Sequence, residues 1–482
     1  MNNFEENRSL RTKARQGFIW SAVERFSTQG IQFIFTLILA RLLLPSDYGK
    51  IAMLVIFSSI ANVLIDSGFS QALIQKQNRT QLDFSTTFYF NIVVGFVLYI
   101  VCFFLAPLIA DFYSIPDLET IFRVTSIGLI INSFCVVQRA ILTIRFKFRE
   151  QAVITLLTSV VSGVVGVSLA LNGYGVWSLV FQGILGGLFS SIFLWKLAGW
   201  LPTIEFSFSS FKQLFNFGSK LLVAGITSTI YMNLYAIVIG KKFSSTELGY
   251  FSRADNLAML PICTITSVVS RVSYPAFCEL QSDNKRFREW AVFLLKIFSL
   301  VVFPIMLGCS AISEPLINII LGDKWLPCAP LLSILCVRYM WDPVHFLNLD
   351  LLKAKGRSDL FLKLDFIRKF MGIIILIVTI PLGITAMCWG AVVLSCLGLV
   401  VNSFFTGRSI NLGFFSQMKA LLPNTILAVG MWVFVRIVLN FCGNGFLGLI
   451  AGIFSGVVFY ICGVVIFQRP LLFQLLSYRK KS

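Results

Sequence analysis

The sequence predicts an all-α integral membrane protein of about fourteen transmembrane helices, built as two parallel six-helix repeats with a two-helix C-terminal extension. Composition, the spacing of apolar runs and a self-match inside the chain point to it. Of 482 residues, 57% are hydrophobic and 13% charged, against roughly half apolar and a quarter charged in soluble domains. A soluble fold has no interior large enough for that apolar surface, and the apolar residues come in long runs rather than at amphipathic spacing.

Taken in order, the runs lie near 17–40, 50–74, 84–109, 118–138, 151–172, 175–196, 213–240, 250–275, 290–312, 327–349, 360–381, 384–406, 418–439 and 445–467. Each reaches the roughly 20 residues a spanning helix needs, with some tilt. The first run is longer than a signal-peptide core and lacks a small-residue cleavage site, so no cleaved signal is expected.

The basic excess, 40 Lys and Arg over 22 Asp and Glu, orients the chain. With a cytoplasmic N-terminus, 29 of the 40 hold or border the cytoplasmic side, and seven (Arg41, Lys50, Arg123, Lys241, Lys242, Arg253 and Lys324) face outward. Arg25, Lys220, Arg338 and Arg436 fall inside spans. This bias places both termini in the cytoplasm. It directs the net charge to topology and anionic membrane lipids rather than to nucleic acid. The eleven cysteines lie in or beside apolar spans without paired spacing. They read as small packing residues, and no metal site or cofactor is expected.

Laid on itself, the chain matches at an offset of 200 residues. Arg41 to Gly49 aligns with Lys241 to Gly249, each a basic residue, then a Ser or Thr before an acid as helix N-cap, then a glycine opening the next span. Pro107-Leu108-Ile109 echoes Pro315-Leu316-Ile317. Six spans separate equivalent points, so the halves run in the same direction. The resulting domains are 1–206, 207–411 and a tail of 412–482.

Ionisable and amide side chains inside spans mark candidate sites, because hydrocarbon offers them no partner. Ser21, Glu24, Arg25, Thr28, Gln29 and Gln32 fall on one helical face, either a seam against neighbouring helices or a cavity wall. The repeat mate carries Asn216, Ser219, Lys220, Thr227 and Tyr231; Lys220 can line a cavity or snorkel to the interface. Ser59, Asn62 and Asp66 share a face of the second span, where Asp66 can pair with Arg25 or bind a coupling cation. The tenth span carries Arg338, Asp342, His345 and Asn348. There the Arg–Asp pair lowers the cost of burial, and His345, the sole histidine, can be structural or carry a proton. Arg436 reads as an interfacial anchor. The chain has no Walker A, GxSxG or HExxH motif, so transport is expected rather than catalysis.

Four ordered segments then resemble a known family: Leu39 to Leu43 continuing to Gly49, Asp66-Ser67-Gly68-Phe69 with Ala72 to Lys76, Arg271-Val272-Ser273-Tyr274-Pro275-Ala276-Phe277, and Gly322-Asp323-Lys324-Trp325. Together they resemble the polysaccharide-exporter branch of the multidrug/oligosaccharidyl-lipid/polysaccharide (MOP) superfamily, nearest to its colanic-acid-type and O-antigen-type (Wzx) flippases. The resemblance implies a MATE-like two-lobed bundle in the bacterial inner membrane. It implies a cargo of undecaprenyl-diphosphate-linked oligosaccharide moved by alternating access, and work alongside a polysaccharide polymerase and other assembly proteins. Arg25, Lys220, Arg271 and Arg338 are then candidates to draw in the diphosphate, with Gln29, Gln32, Asn62 and Thr227 beside them. Glu24, Asp66, Asp342 and His345 are candidates for ion coupling. The alternative is a cation-coupled drug antiporter, which favours acidic cavities. A membrane glycan polymerase or ligase is a distant third, because such enzymes need a larger outer loop than this chain has.

Overall fold

A computed structural model describes residues 29–469, and for residues 267–272 the backbone alone. Every regular element among them is a helix. The chain forms two compact units, Met1–Gly249 and Tyr250–Ser482. The first holds α1 (Gln29–Leu42), α2 (Pro45–Asp66), α3 (Phe69–Gln75), α4 (Gln81–Tyr113), α5 (Asp117–Thr125), α6 (Ile127–Ser133), α7 (Val136–Ile144), α8 (Phe148–Leu171), α9 (Val176–Ala198) and α10 (Phe208–Lys242). The helix α11 (Ser245–Glu279) carries the boundary. The second unit continues with α12 (Asn284–Ala311), α13 (Ser313–Leu321), α14 (Cys328–Tyr339), α15 (Asp342–Ala354), α16 (Ser358–Thr379), α17 (Ile384–Ile410), α18 (Phe414–Cys442) and α19 (Phe446–Phe467).

Among the described residues, 10 segments are long and apolar enough to cross a membrane, with α1 a shorter apolar helix. The others, α11, the pair α14–α15, and α16, carry more charge. Arg253 and Asp255 sit in α11, Arg338 and Asp342 in α14–α15, and Lys363, Asp365, Arg368 and Lys369 in α16. Counted with them and with α1, and with α2–α3, α5–α7 and α12–α13 each taken as one, the described helices group into fourteen segments, the number read from the sequence.

The helices are inside out relative to a soluble bundle. On α4, Val93, Val97, Ile100, Phe104 and Leu108 form one exposed apolar stripe, while Asn91, Gly95, Cys102, Ala106 and Ile109 are buried on another face. Exposed apolar surface of this extent suits lipid and not water.

Breaks in the helices have identifiable causes. Pro343 lacks the N–H that would bond the Tyr339 carbonyl, and α14 gives way to α15 there. Between α2 and α3, Ser67 and Gly68 both adopt left-handed backbone, with φ of 46° and 73°. A Cβ on Gly68 would stand 2.7 Å from the Gly218 carbonyl oxygen, so this turn also seats the backbone of α10.

The match at offset 200 is met in space. Helix α2 opens where the Asp47 carboxylate accepts from the Leu44 N–H at 3.0 Å, and α11 where Glu247 accepts from the Ser244 N–H at 3.1 Å. Both acids sit at the third helical position, so the caps lie at residues 44 and 244, earlier than the Ser46 and Thr246 the sequence suggested. The two loops also touch reciprocally. A Cβ on Gly49 would lie 1.7 Å from the Ser245 carbonyl oxygen, and one on Gly249 2.0 Å from that of Pro45. Gly49→Ala and Gly249→Ala are therefore each expected to cost about 1–3 kcal/mol through overpacking against backbone. Thermal unfolding of the purified protein checks this, and unchanged melting of both variants would show that the two loops are not held together.

Candidate functional site

In the N-terminal unit, α1 packs on α8: a Cβ on Gly163 would fall 2.3 Å from the Phe35 ring, and Leu39 and Leu43 cluster with Ala170. This contact turns Gln32 toward α8, where its Nε2 donates to Ser159 Oγ at 3.4 Å. Gln29 is half-buried on the same helix. Glu24 and Arg25, the charged members of that stripe, lie outside the described residues.

Beside Gln32 opens a cavity of about 590 Å³, within the range of small-molecule sites. Arg139 of α7, Gln151 and Thr158 of α8 and Gln182 of α9 contribute its polar lining. None of these four was singled out from sequence. Each is an ordinary polar residue in its own run, and only the packing of α7, α8 and α9 gathers them.

On α2, Asn62 is tied on both ends of its amide: Nδ2 donates to the Ser58 carbonyl at 2.8 Å, and Oδ1 accepts from Asn132 Nδ2 at 2.8 Å. Asp66 accepts from the Ser70 N–H at 3.1 Å and so satisfies the first turn of α3. At the end of α3, Lys76 Nζ donates to Asp83 and to Gln213, at 2.8 and 3.0 Å, which joins α3, α4 and α10.

Helix α10 has two faces. Gly218, Gly225 and Gly240 lie close to Ser67, Val63 and Met53 of the α2 segment, and small residues allow that approach. The predicted polar stripe is on the opposite side, where Lys220 and Thr227 are exposed and the Thr227 hydroxyl donates to the Val223 carbonyl at 2.9 Å.

In the C-terminal unit the break at Pro343 gathers charge. Asp342 is approached by Arg338 Nη1 at 4.0 Å and by Arg368 Nη2 at 3.8 Å. Arg338 also lies over the Tyr339 ring at 3.8 Å, and the Tyr339 hydroxyl donates to Asp255 at 2.8 Å. Two guanidinium groups and two carboxylates from α11, α14, α15 and α16 thus form one network. Asp255 and Arg368 were missed by the sequence reading. Asp255 lies between outer-end polar residues of its run, and Arg368 borders a basic cytoplasmic loop, so both passed for interfacial charges. Arg271 is on α11, and its side chain lies outside the described residues.

His345 is fully enclosed on α15. Its Nε2 is 3.0 Å from Ser395 Oγ, which donates on to the Arg338 carbonyl at 3.3 Å, and its Nδ1 is 3.2 Å from Asn402 Nδ2. The chain of donors is self-consistent with a neutral ring, Nε2 donating and Nδ1 accepting. One turn on, Asn348 and Gln417 exchange both amide hydrogen bonds, at 2.9 and 2.7 Å, and the Thr406 hydroxyl donates to Asn348 Oδ1 at 2.9 Å. This buried web binds α15 to α17 and α18. All eleven cysteines are free thiols, and no metal-holding cluster occurs among the described residues.

The family-bearing segments have structural roles. Trp325 is fully buried, meets Tyr250 edge-on and underlies Arg253, and the Tyr250 hydroxyl donates to the Lys324 carbonyl. Phe277 is buried against Phe287.

Comparison with known proteins agrees with this architecture. Lipopolysaccharide biosynthesis protein WzxC of Escherichia coli is 26% identical over 75% of this chain and 74% of its own. Succinoglycan biosynthesis transport protein ExoT of Rhizobium meliloti is 25% identical over 95% and 94%. Among solved structures, the inward closed conformation of lipid II flippase MurJ superposes with a TM-score of 0.78 at 16% identity, covering 94% of this chain and all of that one. An inward-facing multidrug resistance MATE family transporter of the MOP superfamily gives 0.61 at 15% identity, covering 81% and 98%. These two show the fold. Residues 38–330, more than half of the chain, match the family described as polysaccharide biosynthesis protein, and the chain belongs to that family.

Proposed function

We propose that this protein is a flippase, moving a polyprenyl-diphosphate-linked oligosaccharide from the cytoplasmic to the outer leaflet of a bacterial inner membrane by alternating access. The observation that carries this reading is the coincidence of membership in a polysaccharide family with guanidinium groups inside crossing helices, Arg338 and Arg368 sharing one carboxylate. An anionic diphosphate on a hydroxylated glycan asks for cationic forks and for amide and hydroxyl groups. The exposed Lys220 and Thr227 on α10 add to both sets, and Arg25 and Arg271 are further proposed cations.

The lobes proposed to rock are 1–206 and 207–411, with 412–482 as the extension and both termini cytoplasmic. For ion coupling, Asp342 is the preferred acid, since two guanidinium groups share its carboxylate. Asp66 and Glu24 are the N-terminal candidates. The His345 ring, with both nitrogens engaged, is assigned to holding α15 against α17. A polysaccharide polymerase is the proposed recipient of the cargo.

In a strain lacking this gene and any redundant flippase, lipid-linked repeat units should accumulate on the cytoplasmic side. Complementation with Arg25→Ala or Lys220→Ala should restore about a tenth or less of the surface polysaccharide that the unmodified gene restores. Arg25→Lys should recover more than Arg25→Ala if charge suffices, and little if a bidentate fork is required. Normal transfer of repeat units in the deletion strain would overturn the reading, as would dye efflux with no glycan phenotype.

A further inference from the structure

The cavity beside Gln32 holds polar groups that the fold itself does not use. The Gln182 amide makes no hydrogen bond among the described residues, and the Thr158 hydroxyl is buried without a partner. An amide at this depth of a crossing helix gains nothing from hydrocarbon, so the space it faces holds water or a ligand. Polar side chains that merely join helices pair across them, as Asn62 and Asn132 do. Gln182 and Thr158 do not.

The chemistry of the lining is selective. Gln182 and Thr158 can each donate and accept, and Gln32 and Gln151, whose Nε2 groups donate to Ser159 and to Thr143 at 3.4 and 3.2 Å, keep a carbonyl oxygen that can accept, which fits a neutral polyhydroxyl group. Arg139, exposed at the α7 edge of the cavity, supplies one cation, and among the described residues the lining includes no Asp or Glu. A sugar bearing a phosphate meets hydroxyl and amide partners and one guanidinium there. On α9, Gly183 keeps the space clear: a Cβ there would meet nothing within 4 Å.

We infer that this cavity, inside the N-terminal unit, seats the phosphate-bearing first sugar of the cargo, with Arg139 on the phosphate and Gln151, Gln182 and Thr158 on the sugar hydroxyls. The inference rests on the flippase reading and adds a seat that it does not require. Phosphate with hydroxyls is also the chemistry of a phospholipid headgroup, so the test separates the two sources.

Gly183→Leu places a side chain in open space and should leave yield and melting unchanged while lowering surface polysaccharide about tenfold. Gly183→Cys in the full chain, reconstituted in phosphatidylglycerol nanodiscs, should react with a water-soluble maleimide well above the unsubstituted protein. Adding the lipid-linked glycan fraction extracted from the host should slow that reaction about fivefold or more, and adding more phosphatidylglycerol should not. Normal export by Gly183→Leu, absence of labelling, labelling indifferent to the glycan fraction, or equal protection by phosphatidylglycerol would each overturn the seat. Those outcomes leave the flippase reading standing, which falls only if the deletion strain transfers its repeat units normally.

Discussion

Asp342→Ala is expected to destabilise the C-terminal unit by about 2–3 kcal/mol, below the 3–5 kcal/mol of a fully buried pair because the partners keep some exposure. Side-chain exposure is 13% for Asp342, 22% for Arg338 and 31% for Arg368. Removal of the carboxylate leaves two guanidinium groups facing one another among crossing helices, with Asp255 nearby through Tyr339. Thermal unfolding in detergent measures the loss. The pairing of Asp342→Asn with Arg368→Gln removes one charge of each sign, so the double variant should recover part of the melting temperature lost by Asp342→Asn alone. If the double variant melts no higher than the single, charge balance is not what holds this site.

The Asn348 web predicts the second large effect. Asn348→Leu keeps the branched shape but strands Gln417 Oε1, whose partner is Asn348 Nδ2, in a place with no exposure. A stranded buried acceptor costs about 1–3 kcal/mol. Gln417→Leu should cost less, because Asn348 retains Thr406 and the Val344 carbonyl. Replacing both residues by leucine should cost less than the sum of the single changes, since no orphaned partner remains. Additive losses in a double-mutant cycle would mean that the two amides act independently.

These two sites differ in how far they could be read from sequence. Arg338, Asp342, His345 and Asn348 stand at helical spacing on one run, so their shared face was legible. Their partners were not. Arg368, Asp255, Ser395, Asn402 and Gln417 come from four other helices, and a one-dimensional pattern has no term for which faces meet. Asn62 and Asp66 were legible as polar positions in a span, but only their contacts show an interhelical amide bond and a helix cap. Lys220 is the converse case. Its stripe was read from spacing, and the glycine face of α10 packed on α2 explains why that stripe stays exposed.

The sequence by itself determined that the chain crosses a membrane many times, and that the loop at Arg41–Gly49 has a counterpart 200 residues on. Its motifs also resemble those of polysaccharide exporters, and the chain belongs to the polysaccharide biosynthesis protein family. These follow from properties that act locally: run length against bilayer thickness, and short motifs whose glycines and acids open helices. Only the tertiary structure decided which polar groups are spent on the fold and which are not. Hydrogen-bond satisfaction is a pairwise property across helices distant in sequence. It consumes His345, Asn348 and Asn62 in the bundle while leaving the Thr158 hydroxyl without a partner and Gln182 beside the cavity.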